Sequence, residues 1–196
     1  ADRRRGAGRP AFRHYREVEY MLTRLILAAA VAVLAGCGSM SLRSATATAT
    51  LAPTKGNQAS GTVNFTQKGD KVLVAARVTG LKPGLHGFHV HEKGNCTAPD
   101  AASAGAHFNP GAGPHGAPTA AARHAGDLGN LQADATGTAL YNAEVTGISL
   151  GANADSIIGR AVIVHANADD LTTQPTGNAG ARVACGLISK SADKWF

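Results

Sequence analysis

The stretch that decides the fold class runs from residue 45 to residue 51 and reads Ala45-Thr46-Ala47-Thr48-Ala49-Thr50-Leu51. Small apolar residues alternate in it with β-branched polar residues at a period of two, which is the pattern of a β-strand with one buried face. Comparable strand patterns occupy residues 61–67, 71–78, 139–145, 156–164 and 182–189. No stretch repeats at a helical period over three turns. The sequence therefore predicts an all-β domain, an antiparallel β-barrel or sandwich.

The composition agrees with this fold class and limits the partners. Aromatic residues make up 5% of the chain and glycine occurs 24 times, which suits short strands joined by many turns. The formal net charge of +6 is concentrated at the start, where six arginines lie among the first twenty residues. From Cys37 onward, 12 basic and 10 acidic side chains nearly balance. We therefore expect no nucleic-acid binding.

Two long segments do not fit the strand pattern. Residues 95–126 are rich in Gly, Ala, Pro and Asn, and residues 167–181 are polar and contain two glycines. Irregular segments of this length in a compact domain are usually functional. The first one carries three of the eight histidines of the chain. The sequence thus predicts two long functional loops.

Histidine spacing indicates one group of metal ligands on strands. His89 and His91 are two residues apart, so on a strand they face the same side. His165 follows an apolar run and can join them from a neighbouring strand. All-imidazole coordination suits copper, although it would also suit zinc. His86 stands three residues before His89, on the other face of a continuous strand, and we predict a structural, hydrogen-bonding role for it.

The first loop, with the aspartate that follows it, supplies a second group of candidate ligands. It offers three nitrogens and a carboxylate, a set that suits tetrahedral Zn²⁺. Its members are His107, His115, His124 and Asp127. A single histidine of this kind is usually just solvated, and a single aspartate often belongs to a turn. The combination with the strand histidines indicates two neighbouring metal sites.

The order of these motifs resembles that of the copper–zinc superoxide dismutase family, over about residues 45–189. The motifs that carry the resemblance are Gly87-Phe88-His89-Val90-His91, Gly105-Ala106-His107-Phe108-Asn109-Pro110, His124-Ala125-Gly126-Asp127-Leu128-Gly129-Asn130 and Gly177-Asn178-Ala179-Gly180-Ala181-Arg182-Val183-Ala184-Cys185-Gly186. Several such motifs in the same order make the match specific.

The resemblance implies a Greek-key β-barrel that disproportionates superoxide to oxygen and hydrogen peroxide, with one copper and one zinc per subunit. Copper would be bound by His89, His91, His107 and His165, and zinc by His107, His115, His124 and Asp127. His107 would bridge both metals as an imidazolate. On reduction it would leave copper, take up a proton and supply it to the departing peroxide.

Further roles follow from the same resemblance. Arg182 would guide the superoxide anion towards copper and would be catalytic together with His107. Asp169 would link the rings of His89 and His115, orienting both. The loop from residue 171 to residue 181 carries no charge before Arg182, whereas family members with longer loops place steering charges there. Additional steering charges would therefore lie elsewhere, with Lys93 and Arg123 as the first candidates.

The start of the chain predicts export. We interpret residues 1–20 as a misassigned start or an extension upstream of Met21, residues 21–36 as a lipoprotein signal peptide and residues 37–44 as a lipidated tether. The ending Leu34-Ala35-Gly36-Cys37 resembles the lipobox of bacterial lipoproteins, in which the cysteine carries the lipid. The alternative, a membrane-spanning helix, needs about 20 mainly apolar residues, and Gly38, Ser39 and Ser41 interrupt the run. A lipid-anchored protein of the periplasm or cell envelope is the expectation.

The three cysteines fit this interpretation. If Cys37 carries lipid, Cys96 and Cys185 remain for one disulfide in an oxidising compartment, and the resemblance implies the same pair. The alternative, two unrelated free thiols, is unattractive outside the cytoplasm. Such a bridge would close a loop of about 90 residues and contribute roughly 4–5 kcal/mol in the chain-entropy model.

Two other functions are conceivable for a chain with these features. A metal carrier on the same fold would be favoured by loss of a copper ligand or of Arg182, and neither is missing. A lipid-tethered adhesion module would hold zinc only incidentally and would bind no copper. The sequence leaves open whether the protein is a monomer or a homodimer. The tail, residues 190–196, ends in Trp195-Phe196 and matches no motif.

Overall fold

The computed structural model describes residues 44–191, which form nine antiparallel strands and one short 3-10 helix. The strands are β1 Thr46–Pro53, β2 Ser60–Lys68, β3 Lys71–Thr79, β4 Gly84–His91, β5 Asp127–Ala133, β6 Ala139–Thr146, β7 Ala161–His165, β8 Arg182–Leu187 and β9 Ser189–Lys190. The 3-10 helix, Ala102–Ala104, lies in the first long loop. The predicted all-β class is confirmed.

The sheet closes into a barrel. Its strand order is β2-β3-β6-β5-β4-β7-β8-β1-β9, and an additional pairing of β1 with β2 joins the two sides. β3 lies next to β6 rather than β4, and β7 lies next to β4 rather than β6. These crossovers produce the expected Greek-key arrangement. They also bring β4 and β7, the strands that carry three of the predicted ligands, side by side.

The barrel interior is filled by the alternating apolar residues that define the strands. In β3, Val72, Val74 and Val78 are fully buried, while Lys71 and Arg77 face solvent. Phe65 and Phe88 are the largest fully buried side chains of the core. Fully burying such a side chain contributes about 1.5–3 kcal/mol relative to exposure. This packed wall is the support on which the site is built.

The structure corrects two strand predictions. Residues 156–160 form a turn rather than the start of β7, with the Arg160 N–H donating to the Ile157 carbonyl at 3.2 Å. Ile157 is apolar because it packs into the core from that turn. β5 was not predicted, because glycine and polar residues break its alternation. Its pairing with β4, which brings Asp127 opposite His89, makes it a strand.

Several predictions lie outside the described residues. They concern the leader, lipid attachment at Cys37, most of the tether and the tail beyond Ser191. Within residues 44–191 no helix is long and apolar enough to span a membrane.

Candidate metal centre

Four imidazoles meet at the wall of the barrel. His89 and His91 lie on β4, His165 ends β7, and His107 reaches them from the first loop through a β-bridge with His91. The register shifts next to His89 and next to His165. Such irregularities re-aim side chains. The four rings, called here the four-imidazole group, are buried and offer ligand atoms within 4.8 Å of one another.

Three rings of this group, those of His89, His91 and His165, are each fixed through one nitrogen. The Nδ1 of His91 lies 2.9 Å from the Gly105 carbonyl oxygen, and the Nδ1 of His165 lies 3.1 Å from the Gly180 carbonyl oxygen. Because a carbonyl only accepts, each of these Nδ1 atoms carries the proton. The Nε2 of His89 lies 2.8 Å from the Asp169 carboxylate. The opposite nitrogen of each ring is therefore left with a free lone pair.

The second group combines three rings and one carboxylate. It consists of His107, His115, His124 and Asp127 and is called here the His–Asp group. The Asp127 Oδ1 lies 2.9 Å from His107 Nδ1, 3.1 Å from His115 Nδ1 and 3.2 Å from His124 Nδ1. A tetrahedral ion with ligands at about 2.0–2.2 Å separates its ligand atoms by roughly 3.3–3.6 Å. The spacing is close to that of a zinc site.

Unsatisfied ring nitrogens show that both groups fit a metal. Within residues 44–191, the buried side-chain nitrogens and oxygens that lack a hydrogen-bond partner are all imidazole nitrogens. They are His89 Nδ1, His91 Nε2, His107 Nε2, His115 Nδ1 and His165 Nε2. An unpaired polar atom in such a place costs about 1–3 kcal/mol. Five of them in adjoining groups are explained when metal ions accept their lone pairs.

The electrostatics keep the rings ready for metal. Burial, reinforced by His107, holds the pKa of His89 and of His91 well below the ordinary value of 6.5. Burial likewise lowers the pKa of His165 to about 4. Burial alone would raise the pKa of Asp127, but hydrogen bonds from His107 and the Gly116 N–H lower it. Neutral imidazole and ionised carboxylate are the forms that bind metals.

Asp169 joins the two groups, as the resemblance implied. Its Oδ2 lies 2.8 Å from His89 Nε2, and its Oδ1 lies 2.8 Å from His115 Nε2. Asn130 fixes Asp169 in turn, because its side chain exchanges hydrogen bonds with the Asp169 N–H at 2.8 Å and carbonyl at 2.9 Å. Sequence reasoning missed Asn130, although it lies in the quoted motif. The predicted structural role of His86 is confirmed, since both ring nitrogens lie 2.8 Å from carbonyl oxygens.

The predicted disulfide is present. Cys96 and Cys185 are bonded, which ties the start of the first loop to β8. The bridge closes a sequence separation of 89 residues. The first loop, which carries three of the four members of the His–Asp group, is therefore anchored covalently to the barrel.

Arg182 lies beside the four-imidazole group. Its guanidinium donates to the carbonyl oxygens of Ala101 and Gly105, each at 2.6 Å. The Gly105 carbonyl is also the one that holds His91. Arg182 lines an open cleft of about 360 Å³ together with Lys55 and Asp100. Lys55 was not predicted, because nothing in its local sequence places it near Arg182.

The two other cations proposed for steering are engaged elsewhere. The Arg123 guanidinium donates to the carbonyl oxygens of Pro118 and Thr146, each at 2.8 Å, and so fastens the first loop to the end of β6. The Lys93 ammonium lies 3.9 Å from the Glu92 carboxylate. Neither residue lines the cleft that contains Arg182.

A comparison with models of protein families agrees with the geometry. Residues 59–188 match the family described as Copper/zinc superoxide dismutase (SODC). The match covers well over half of the chain, including both metal-ligand groups, Asp169 and Arg182. The chain therefore belongs to the copper/zinc superoxide dismutase family, whose members are copper- and zinc-binding oxidoreductases that disproportionate superoxide.

Proposed function

We propose that the four-imidazole group holds the redox copper, that the His–Asp group holds a structural zinc and that His107 is shared between them. The observation that carries this assignment is the membership of His107 in both groups. Its Nδ1 faces Asp127, and its Nε2 is buried without a hydrogen-bond partner. One ring thus offers a ligand atom to each group.

The reaction converts two superoxide anions and two protons into oxygen and hydrogen peroxide. Copper, when bound, supplies the one-electron redox change that this reaction needs. Burial of the rings excludes water from the ligand atoms. The hydrogen bonds that the rings donate to the Gly105 and Gly180 carbonyls and to the Asp169 carboxylate keep those atoms aimed at the metal position. We assign the delivery of one of these two protons to His107 Nε2, the nitrogen of the shared ring that belongs to the four-imidazole group.

Substrate guidance is assigned first to Arg182. Superoxide is an anion, and a fixed cation beside the four-imidazole group lowers its energy on arrival. Lys55 adds a second positive charge at the same cleft, against the single negative charge of Asp100. Within residues 44–191, no ion pair engages Lys55. The cleft wall therefore provides a net positive charge, although residues 171–181 contribute none.

A crossed pair of variants tests the metal assignment. His165→Ala removes a ligand from the four-imidazole group only, and His124→Ala removes one from the His–Asp group only. Metal content and superoxide decay are measured on the same samples after loading with both metals. We expect His165→Ala to lose copper and activity while keeping zinc, and His124→Ala to lose zinc first. The reverse pattern would exchange the assignments, and equal loss of both metals in both variants would reject them.

The biological setting is proposed from the leader. We infer that the enzyme is lipid-anchored through Cys37 in the cell envelope and protects that compartment from superoxide. Support comes from the lipobox-like sequence and from the disulfide, a bond that persists in oxidising compartments. Mass spectrometry of the mature N-terminus tests this. A lipid on Cys37 that is lost in Cys37→Ser is expected, whereas an unmodified, cytoplasmic chain would contradict the proposal.

A further inference from the structure

One contact between the two long loops has no part in the metal assignment above. The Gln174 side chain in the second loop pairs with the main chain of His115 in the first. The His115 N–H donates to Gln174 Oε1 at 2.7 Å, and Gln174 Nε2 donates to the His115 carbonyl at 2.9 Å. An amide side chain here satisfies both polar main-chain groups of one residue.

Together with one hydrogen bond to its ring, these bonds fix His115 at three points: its main-chain N–H, its carbonyl and its ring. Gln174 fixes its main chain, and Asp169 fixes its ring through Nε2 at 2.8 Å. The remaining ring nitrogen, Nδ1, makes no hydrogen bond and lies 3.1 Å from Asp127 Oδ1, another member of the His–Asp group. Both residues that hold His115 come from the loop between β7 and β8. The position of this ligand therefore depends on that loop rather than on the first loop alone.

The loop that presents Gln174 is internally braced. The Asp170 carboxylate accepts hydrogen bonds from the N–H groups of Thr172 and Thr173 at 3.0 and 2.8 Å, and from the Asn178 amide at 2.9 Å. The Gly177 N–H also donates to the Thr173 carbonyl at 2.7 Å. Gln174 thus extends from an ordered turn, and its hydrogen bonds require little additional ordering.

We propose that Gln174 is a positioning residue that sets how tightly the His–Asp group retains zinc. The inference rests on the proposed zinc assignment of that group. Residues that orient metal ligands typically change metal affinity by about 10–100-fold when they are removed. Gln174 is exposed, so its replacement leaves the core intact. In this chain the second loop, through Asp169 and Gln174, holds the His115 ligand in place.

The test measures zinc binding rather than activity. Gln174→Met keeps the length of the side chain without its hydrogen bonds, and Gln174→Ala removes the side chain. Thr176→Ala is the matched control, because Thr176 is exposed on the same loop. Disulfide-intact, metal-free proteins are titrated with Zn²⁺ against a chromophoric chelator, and zinc release is followed by stopped flow. A Co²⁺ absorption spectrum reports the geometry of the site.

We expect both Gln174 variants to raise the zinc Kd about tenfold, the lower end of the range for such residues, and to speed zinc release. Their Co²⁺ bands should be altered, and Thr176→Ala should match the wild type. Copper affinity of the zinc-free proteins should stay unchanged. Wild-type zinc affinity in Gln174→Met, or an equal loss of zinc affinity in Thr176→Ala, would overturn the proposed role of Gln174. If His115→Ala binds zinc as tightly as the wild type, or if the wild type binds no zinc, the zinc assignment itself fails.

Discussion

The two metal-ligand groups adjoin each other but are built on different kinds of backbone. In the four-imidazole group, three rings lie on β4 and β7, strands that are paired with each other in the barrel wall. In the His–Asp group, His115 and His124 lie in the first loop, and Asp127 is the first residue of β5. His107 alone belongs to both.

The difference shows what each group depends on. Ladder hydrogen bonds and core packing hold the strand-borne rings, so folding of the barrel positions them. Contacts between distant segments hold the loop-borne ligands, through the Cys96–Cys185 bond, Asp169 and Gln174. Changes that loosen a loop should therefore affect the His–Asp group first, whereas a change at His107, the shared member, should affect both groups equally.

The largest expected effect comes from His107→Ala. The variant removes one ligand from each group, and we expect loss of most of the activity together with weaker binding of both metals. Inductively coupled plasma analysis and superoxide decay on one sample check this. Near-wild-type turnover with both metals bound would show that His107 is not shared.

The next largest effect is expected from removal of the disulfide, which distinguishes the loop-borne ligands from the strand-borne ones. Cys96→Ser should cost about 2–5 kcal/mol of the free energy of unfolding, the range for loss of a native disulfide, with the chain-entropy value at its upper end. Zinc affinity should fall more than copper affinity. Thermal unfolding and chelator competition measure the two effects, with Cys185→Ser as the control that should behave identically. Free thiols at both positions in the exported wild type would contradict the pairing.

A smaller effect is expected from the cations of the cleft. Clefts lined by one sign of charge raise on-rates by about 10–10³-fold, superoxide dismutases being among the known examples. Arg182→Ala should therefore lower the second-order rate with copper still bound, Arg182→Lys less, and Lys55→Ala least. The salt dependence of the rate should weaken in the same order.

Pulse radiolysis at several ionic strengths measures these rates. Lys71→Ala is the control, because its ammonium lies 3.5 Å from Glu144 on strand β6, at another part of the barrel. If both Arg182→Ala and Lys55→Ala keep the wild-type rate and salt slope, guidance does not come from this cleft.

The smallest effect concerns Asp170, which braces the second loop. A hydrogen bond from the Thr173 hydroxyl, followed by main-chain N–H bonds, holds the pKa of this carboxyl well below its ordinary value of 3.8. A depressed pKa in the folded state stabilises the fold above the unfolded pKa, and this contribution is lost as the pH falls towards the folded pKa. In metal-free protein, Asp170→Ala should lower the Tm slightly at pH 6, and the difference should shrink at pH 3. A difference that grows at pH 3 would contradict this origin.

Much of the barrel was predictable, because burial on one face leaves a period of two. This holds for β1, β2, β3 and β6, whose alternation is visible in the chain. β5 was missed because its Asp127 and Asn130 serve the site rather than the core, and Gly129 interrupts the pattern further. The apolar run before β7 was misinterpreted, because a turn also buries Ile157.

The same distinction holds at the site. Ligands were predictable because imidazole and carboxylate side chains carry their chemistry visibly. Gln174 and Lys55 were not, because a glutamine in a polar loop or a lysine after a strand has no special pattern. Gln174 meets His115 across 59 residues of sequence, and only the folded chain brings them together. The role of His86 was predictable from its spacing alone.

The most direct test of the central claim is the electron paramagnetic resonance spectrum of Cu²⁺ in two fully loaded samples. One sample carries Zn²⁺ in the His–Asp group, and the other carries paramagnetic Co²⁺ there. If His107 is shared, its ring couples the two spins, so the Cu²⁺ signal should be intact with Zn²⁺ and largely lost with Co²⁺. Identical Cu²⁺ signals in both samples, with both sites full, would contradict the shared ring and the account built on it.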